Sequence, residues 1–261
     1  MIPYPHISPE IVRVGPFSVR WYGMMYLAGF LSSYFLVRYQ VRKRGLPISK
    51  VAIDSLYTYI ILGLLIGARL GYVIFYNLSV YLKNPFEIFA VWHGGMSFHG
   101  GLIGCIVSGF IFTRRYKLDF WQISDLVIVT APIGLGLGRL GNFINGELYG
   151  RVTDVPWAMV FPDGGPLPRH PSQLYEFILE GIILFLLLWF LKERLSKKGY
   201  LLATFLSLYG LFRFTVEFFR EPDPQIGYIL GFLTMGQILS TIMAFIGLLI
   251  FFLKRPKRCK N

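Results

Sequence analysis

Long apolar runs recur along the whole chain, and they constrain its fold more than any other feature of the sequence. A run of about 20 apolar residues is long enough to cross the hydrocarbon core of a bilayer as a helix. Composition agrees, because 54% of the residues are hydrophobic and only 15% are charged. A soluble protein this apolar could not cover its surface with polar groups. The sequence therefore predicts an all-α membrane protein with seven transmembrane helices, at about 18–37, 51–76, 96–113, 121–138, 174–191, 200–219 and 235–253.

The positive charges of the chain are distributed unevenly between alternate connections. Of 26 Lys and Arg residues, seventeen follow the first, third, fifth and seventh runs, seven lie on the alternate side, and Arg69 and Arg213 lie within runs. Because Lys and Arg hold short loops in the cytoplasm, this bias predicts a cytoplasmic C-terminus and an N-terminus outside. We expect one polytopic membrane domain over 1–261, with an outer loop region at about 139–173. The net charge of +12 is then topogenic, and no nucleic-acid partner is expected.

Neither a metal nor a cofactor is indicated. The two cysteines, Cys105 within an apolar run and Cys259 in the basic tail, lie on separate segments. They support neither a disulfide framework nor a metal cluster. No spacing of His, Cys and carboxylate residues suggests a metal site either.

Charged side chains within the predicted helices are the first candidates for function. Inserting one such charge into a membrane costs roughly 2.5–3.5 kcal/mol, so these residues need a reason. Arg213, Glu217 and Arg220 are spaced so that all three lie on one face of a helix. A structural alternative is a salt-bridge ladder in which Glu217 neutralises Arg213, and the sequence leaves both interpretations open. Arg69 and Asp125 are candidates for structural ion pairs.

A glycine-rich stretch, 138–150, follows the fourth run and carries Arg139, Asn142 and Asn145. Glycines allow the backbone to approach a ligand closely. Arginine, asparagine and backbone N–H groups together suit a phosphate ester. A capped helix end is the alternative, but it does not account for so many polar groups in one short stretch. We therefore predict an anion-binding site here.

Further polar residues enter the bilayer from the same, outer side. His99 lies between glycines near the start of the third run, and its near-neutral pKa would make it a natural proton acceptor. A hydrogen-bonded structural histidine is the alternative. Tyr22, taken alone, is interpreted as part of an aromatic belt at the membrane interface. Gln173 and Glu176 begin the fifth run.

Polar groups from five of the seven predicted helices thus converge on the outer half of the bilayer. The set describes a cavity of the size of an amphiphile, with two arginines for an anion and a histidine for a proton. The obvious anionic amphiphile in a bilayer is a phospholipid, whose head group lies at that depth.

At these residues the chain resembles the bacterial phosphatidylglycerol–prolipoprotein diacylglyceryl transferases. The segment 138–150 is similar to the signature of that family over all thirteen positions. The resemblance runs in order over about residues 15–253. Further similar stretches are Trp21 to Gly23, Gly94 to Gly101, Arg169 to Glu176, and Tyr209 to Arg220.

The resemblance implies a multi-pass transferase of the bacterial plasma (inner) membrane, with its active site toward the outer leaflet. Its partners would be phosphatidylglycerol, the lipobox segment of a preprolipoprotein signal peptide, and membrane lipids. It would transfer the sn-1,2-diacylglyceryl group of phosphatidylglycerol to the thiol of the lipobox cysteine. A thioether would form and glycerol phosphate would leave, in the first step of lipoprotein maturation.

The resemblance also associates particular residues with activity, and we hypothesise roles for them. His99 would accept the thiol proton, while Arg139 and Arg213 would bind the phosphate and stabilise charge as the C–O bond breaks. The resemblance places Tyr22 in the catalytic site, which differs from the interpretation of Tyr22 as part of an aromatic belt. The residues expected to bind phosphatidylglycerol are Arg139, Asn142, Asn145, Glu147, Gly150, Arg213, Glu217 and Arg220.

Two other functions compete with this one. A membrane transporter or channel for an anionic solute would also use arginines and broken helices, but it predicts a polar path into the cytoplasmic half and two-fold repeats. The inner halves of the sixth and seventh runs are apolar, which argues against it. A non-catalytic lipid-binding protein would need no proton acceptor and would tolerate replacement of His99.

Overall fold

Helices dominate the computed structural model, which describes residues 2–5, 7–15, 17–76, 78–90, 94–195, 197–222, 228–229 and 231–254. Two short antiparallel ladders accompany the helices in this described part. In chain order the elements are β1 (Glu10–Val14), β2 (Phe17–Arg20), α1 (Trp21–Lys43), α2 (Lys50–Tyr76), α3 (Leu78–Lys83), a 3-10 helix (Pro85–Phe89), α4 (Phe98–Arg115), α5 (Phe120–Ile128), α6 (Ala131–Asn145), α7 (Ser172–Glu176), a π-helix (Phe177–Ile183), α8 (Leu184–Leu191), α9 (Tyr200–Val216), β3 (Tyr228–Ile229), β4 (Leu233–Thr234) and α10 (Met235–Leu253).

Several helices are long and apolar enough to cross a membrane. Within the described ranges, three meet that criterion outright: Lys50–Phe75, Ser172–Leu191 and Met235–Leu253. A fourth is added if α5 and α6, bent by 42° at a short break, form one span, while α9 is apolar but shorter. The chain is thus a multi-pass helical membrane protein, and helices overlap each of the seven predicted runs. The number of crossings and their orientation stay predictions.

The break between α5 and α6 has a local cause. Pro132 occupies the first turn of α6, where its missing N–H costs no helical hydrogen bond. At its other end, α6 stops at Gly146, whose φ of 71° is the left-handed conformation that favours glycine. The proline that made the fourth run irregular in sequence therefore begins a new helix, and this helix carries the 138–145 part of the glycine-rich stretch.

Contacts divide the chain into two compact units, the first of which comprises Met1–Leu36 and Asp125–Asn261. The carboxylate of Asp125 accepts hydrogen bonds from the backbone N–H groups of Gly199 and Leu202 at 2.6 and 2.9 Å, and so caps the N-terminus of α9. The strand pairs β1–β2 and β3–β4 belong to this unit. One apolar core of this unit contains Val129, Leu184, Leu188, Leu201, Phe205 and Tyr209.

The second unit comprises Val37–Ser124, and α2 packs closely against α4 within it. A Cβ atom at Gly67 would lie 2.8 Å from the Cα atom of Gly104, so small residues permit this contact. Arg69 is buried, and it forms no ion pair with a carboxylate of the described residues. Its guanidinium donates to five backbone carbonyls, those of Glu87, Ile88, Ala90, Gly94 and Gly95, at 2.5 to 3.2 Å.

Candidate active site

Buried charges of the first unit meet where α6, the α7 segment and α9 face one another. Arg139 pairs through Nε with one oxygen of Glu176, and Arg213 pairs with the other oxygen at 2.8 Å. Glu180 lies 3.9 Å from Arg213. Glu176 and Glu180 are 1% and 0% exposed, and buried charges of this kind persist only when they are paired. The two arginines predicted to bind an anion are therefore neighbours, joined by a carboxylate.

Close packing of two helices brings these side chains together. A Cβ atom at Gly136 would lie 2.9 Å from the Cα atom of Gly181, so α6 and the π-helix approach one another almost backbone to backbone. Arg139 lies one turn beyond this contact on α6, and Glu180 precedes Gly181 directly. π-helical turns are rare and are frequent at functional sites, since they change which side chains face a neighbour.

Glu217 extends the charge cluster beyond the end of α9. Its carboxylate accepts hydrogen bonds from three side chains: from Arg213, from Arg220 at 3.2 Å and from Thr234 at 2.8 Å. A Cβ atom at Gly236 would lie 2.5 Å from the Oε1 atom of Glu217, so only glycine leaves room for the carboxylate. Arg213, Glu217 and Arg220 therefore lie on one face, as their spacing predicts, and ion pairs join them. These ion pairs hold Arg213 next to Arg139.

The two arginines differ in how their nitrogens are used. Within the described part of the chain, neither terminal nitrogen of Arg139 donates a hydrogen bond, and 22% of its side chain is exposed. Arg213 is less exposed, at 10%, and it faces the carboxylates of Glu176, Glu180 and Glu217. The edge of the Arg139 guanidinium that carries the two terminal nitrogens, here called the forked edge, is thus available. This is the edge that binds phosphate in bidentate fashion.

The polar residues that follow Arg139 form a local network. Asn142 and Asn145 both donate through their side-chain amides to the Oε1 atom of Glu147, at 2.8 and 3.1 Å. Gln173 donates to the backbone carbonyl of Glu147 at 2.6 Å, which ties the stretch to α7. Leu148 has a φ of 58°, a strained left-handed conformation for a residue with a side chain. The carboxylate of Glu147 is thus held in a fixed place with acceptor capacity left over.

Gly150 and Tyr22 also belong to this unit. Gly150 pairs with Arg220 in an antiparallel bridge, and a Cβ atom there would lie 2.7 Å from the Cβ atom of His170. Tyr22 packs on α6, because a Cβ atom at Gly141 would lie 2.8 Å from the Tyr22 ring. Its hydroxyl lies 3.2 Å from that of Tyr26. Tyr22 thus lies against the helix that carries Arg139.

His99 belongs to the second unit. It follows Ser97, whose side chain accepts a hydrogen bond from the backbone N–H of Gly100 and caps α4, and the imidazole is exposed. The structure therefore brings together nine of the ten predicted site residues in one unit, and the place of His99 beside the arginines stays a prediction. The nine are Tyr22, Arg139, Asn142, Asn145, Glu147, Gly150, Arg213, Glu217 and Arg220.

Sequence reasoning missed part of the cluster. Glu180 lies in an apolar run four residues after Glu176, and the rule that intramembrane charges need a reason would have identified it. Thr234 and Gly236 carried no such signal, because they meet Glu217 only in the folded chain. No group of three or more His, Cys, Asp or Glu residues in the described ranges could hold a metal ion.

Comparison with known proteins agrees with the sequence signature. The family model described as prolipoprotein diacylglyceryl transferase matches residues 9–253. A protein of Desulfotalea psychrophila named phosphatidylglycerol–prolipoprotein diacylglyceryl transferase is 55% identical over 254 residues, which is 95% of this chain and 93% of that protein.

Two further relatives carry the same name. The protein of Geobacter sulfurreducens is 53% identical over 94% of both chains, and that of Coxiella burnetii is 53% identical over 95% of both chains. The resemblance predicted from sequence is thereby confirmed, and the chain belongs to the prolipoprotein diacylglyceryl transferase family.

Proposed function

We infer that this chain transfers the sn-1,2-diacylglyceryl group of phosphatidylglycerol to the lipobox cysteine of preprolipoproteins. Family membership supports the reaction, since the named relatives act on phosphatidylglycerol and prolipoprotein. The observation that carries the proposal is the available guanidinium edge of Arg139 inside a multi-pass membrane protein. A site for an anionic ester at membrane depth is what such a lipid substrate requires.

The reaction creates negative charge at the phosphate. The cysteine sulfur attacks the glyceryl carbon that bears the phosphate ester, so an S–C bond forms and a C–O bond breaks. The electron pair of the C–O bond stays on the phosphate oxygen, the thiol proton leaves the sulfur, and glycerol phosphate departs. Positive groups fixed beside the phosphate therefore stabilise the transition state more than the bound lipid.

Arg139 is the residue to which we assign the phosphate. Its two terminal nitrogens can donate to two phosphate oxygens while Nε keeps its ion pair with Glu176. Arg213 would act beside it, adding positive charge without giving up its own carboxylate partners. Glu217 and Arg220 would hold Arg213 in that place.

The glycerol head group fits the network that follows Arg139. Glu147 has free acceptor positions that can take hydrogen bonds from glycerol hydroxyls, and the amides of Asn142 and Asn145 fix its orientation. The backbone at Gly150 and the hydroxyl of Tyr22 would complete the site. Recognition of hydroxyls would distinguish this lipid from one with an amine head group.

The thiol needs a proton acceptor, and we assign that role to His99. A free thiol has a pKa of about 8.5, so little of it is thiolate at neutral pH. A histidine at the start of a helix, with an exposed imidazole, can take the proton if the lipobox cysteine comes within hydrogen-bond reach.

We further propose that the chain crosses the bacterial plasma membrane seven times, with its N-terminus outside. Support comes from the bias of Lys and Arg toward alternate connections and from the helices that overlap each predicted run. The charge cluster would then lie toward the outer leaflet, where a signal peptide presents its lipobox. The membrane lipids would be both solvent and substrate.

An adduct assay tests the activity. Purified protein is incubated with phosphatidylglycerol and a synthetic lipobox peptide, and mass spectrometry measures the diacylglyceryl adduct on the peptide cysteine. We expect adduct with wild type, with phosphatidylethanolamine a poor donor. Arg139→Ala should lower the rate by about 100-fold or more, by comparison with loss of one oxyanion donor.

Arg42→Ala is the matched control, because Arg42 is an exposed arginine in the last turn of α1. It should retain the wild-type rate. A folded wild-type protein that forms no adduct but lets an anionic solute cross liposomes would contradict the transferase and favour a transporter.

A further inference from the structure

Glu176 serves two arginines that belong to two different helices. One oxygen pairs with Arg139 of α6, and the other lies 2.8 Å from the terminal nitrogen of Arg213 of α9. The side chain of Glu176 is 2% exposed, so water does not compete for these contacts. A single carboxylate therefore determines how far apart the two guanidinium groups lie.

The nitrogen of Arg139 that pairs with Glu176 determines which nitrogens stay available to a ligand. Glu176 binds Nε, on the side of the guanidinium next to the stem of the side chain, and neither terminal nitrogen of Arg139 donates to a described residue. A carboxylate on that side turns the forked edge away from itself. Glu176 thus orients Arg139 and does not occupy the edge that a phosphate would use.

The neighbouring carboxylates could not replace this contact. Glu180 lies 3.9 Å from Arg213, which is beyond hydrogen-bond distance. Glu217 binds the other terminal nitrogen of Arg213. Without Glu176, Arg139 would lose its ion pair with the protein, and two like charges would face one another in a buried site.

We propose that Glu176 is a positioning residue for the transfer reaction, which holds Arg139 and Arg213 in the arrangement that stabilises the departing phosphate. The proposal rests on the proposed function. Charge that is already placed before the reaction contributes most in the transition state, so Glu176 should act on kcat more than on KM.

Two substitutions of Glu176 separate the effect of its charge from the effect of its side-chain length. Glu176→Gln keeps the length of the side chain and removes its charge, whereas Glu176→Asp keeps the charge and is too short to reach both arginines. We expect Glu176→Gln to lower kcat by about 10- to 100-fold, as for a misplaced catalytic group, with KM for phosphatidylglycerol changed less than about threefold. Glu176→Asp should lose at least about fivefold in kcat, by the same reasoning.

Asp125→Asn is the matched control. It removes another buried carboxylate of the first unit, one that caps the opposite end of α9 and lies outside the proposed site. It should lower the melting temperature and leave kcat of the folded protein near the wild-type value. All variants are assayed by the same adduct measurement, below their melting temperatures and normalised to folded protein.

Three results would overturn the proposal. The first is a kcat within about threefold of wild type for both Glu176 variants. The second is a lower KM at unchanged kcat in Glu176→Gln, because Glu176 would then compete with the phosphate for Arg139. The third is equal losses in Glu176→Gln and Asp125→Asn. If Glu176→Gln does not fold, Glu176→Asp alone decides, and a wild-type kcat for it contradicts the proposal. Failure of the proposed function is different, because then wild type itself forms no adduct.

Discussion

Arg139 and Arg213 carry the same charge, but their surroundings assign them different tasks. Arg213 is enclosed by three carboxylates, and its partner Glu217 is buried with it. Arg139 makes one ion pair and keeps a forked edge accessible. Spacing along one helix was sufficient to predict that Arg213 and Glu217 lie together. The bridge through Glu176 could not be predicted, because it joins residues from separate helices.

Gly236 is a test of the space around Glu217. A Cβ atom there would lie 2.5 Å from the Oε1 atom of Glu217, so Gly236→Ala must displace the carboxylate. We expect a loss of about 1–3 kcal/mol in unfolding free energy, as for an overpacked core, together with a lower transfer rate. Denaturant unfolding and the adduct assay measure the two effects. Gly109→Ala is the control, since its Cβ would meet nothing within 4 Å, and a Gly236→Ala variant equally well tolerated would contradict the packing described here.

His170, just before α7, should make stability depend on pH. Burial lowers the pKa of this imidazole below its usual value. In the unfolded chain the pKa is about 6.5, so both states are neutral above that pH and His170 then has no effect. As pH falls below about 6.5, the unfolded state binds more protons than the folded state, and stability falls.

The measurement is the free energy of unfolding between pH 5 and pH 8, for wild type and for His170→Gln, with the values compared as differences. Part of the loss on the acidic side should disappear in His170→Gln. Parallel pH profiles for the two proteins would contradict this account of the histidine.

Among the elements, the helices were predictable and their irregularities were only partly so. Apolar length located every run, and Pro132 indicated that the fourth one is broken. Nothing in the apolar sequence of 177–183 distinguishes a π-helix from an ordinary one, since the difference lies in backbone hydrogen bonds. The break begins the helix that carries Arg139, and the π-helix directly follows Glu176, so the candidate site depends on the elements that sequence describes least well.

Arg69 joins α2 to the segment that precedes α4 and His99. Its guanidinium supplies five hydrogen bonds to backbone carbonyls from Glu87 to Gly95, and a lysine, with three donors on one nitrogen, cannot reproduce them. We expect Arg69→Lys to increase amide hydrogen exchange at residues 94–100 by about tenfold or more, which corresponds to about 1.4 kcal/mol of lost local stability. Arg114→Lys, in the last turn of the same α4, is the control, and equal exchange in both variants would contradict the role of Arg69.

For the whole molecule, sequence identified the membrane class and the family, while the roles of the site residues stay predictions. Family membership and the multi-pass helical architecture are confirmed. The number of crossings, their direction and the single-domain organisation stay predictions, because they depend on how helices sit in a bilayer and on one another. The bias of Lys and Arg between alternate loops determines the orientation while the chain is inserted into the membrane. The folded structure does not record that process.

Cysteine labelling in intact cells tests the orientation. Cys105 and Cys259 are first replaced by Ser, and single cysteines are then placed at exposed positions by Ser49→Cys or Asp154→Cys. A membrane-impermeant maleimide should label position 154, in the loop expected outside, and not position 49, which should react only after lysis. Labelling of position 49 in intact cells, with 154 protected, would reverse the proposed topology.

The central claim is that Arg139 binds the phosphate of phosphatidylglycerol with its two terminal nitrogens, while Glu176 pairs with the Nε atom of the same guanidinium. An experimental structure of the protein in bilayer discs that contain phosphatidylglycerol tests this most directly. The account predicts a phosphate whose oxygens lie about 3 Å from both terminal nitrogens of Arg139, with the Glu176 contacts intact. A head group bound elsewhere, or an Arg139 whose forked edge turns to a protein carboxylate while lipid is bound, would contradict it.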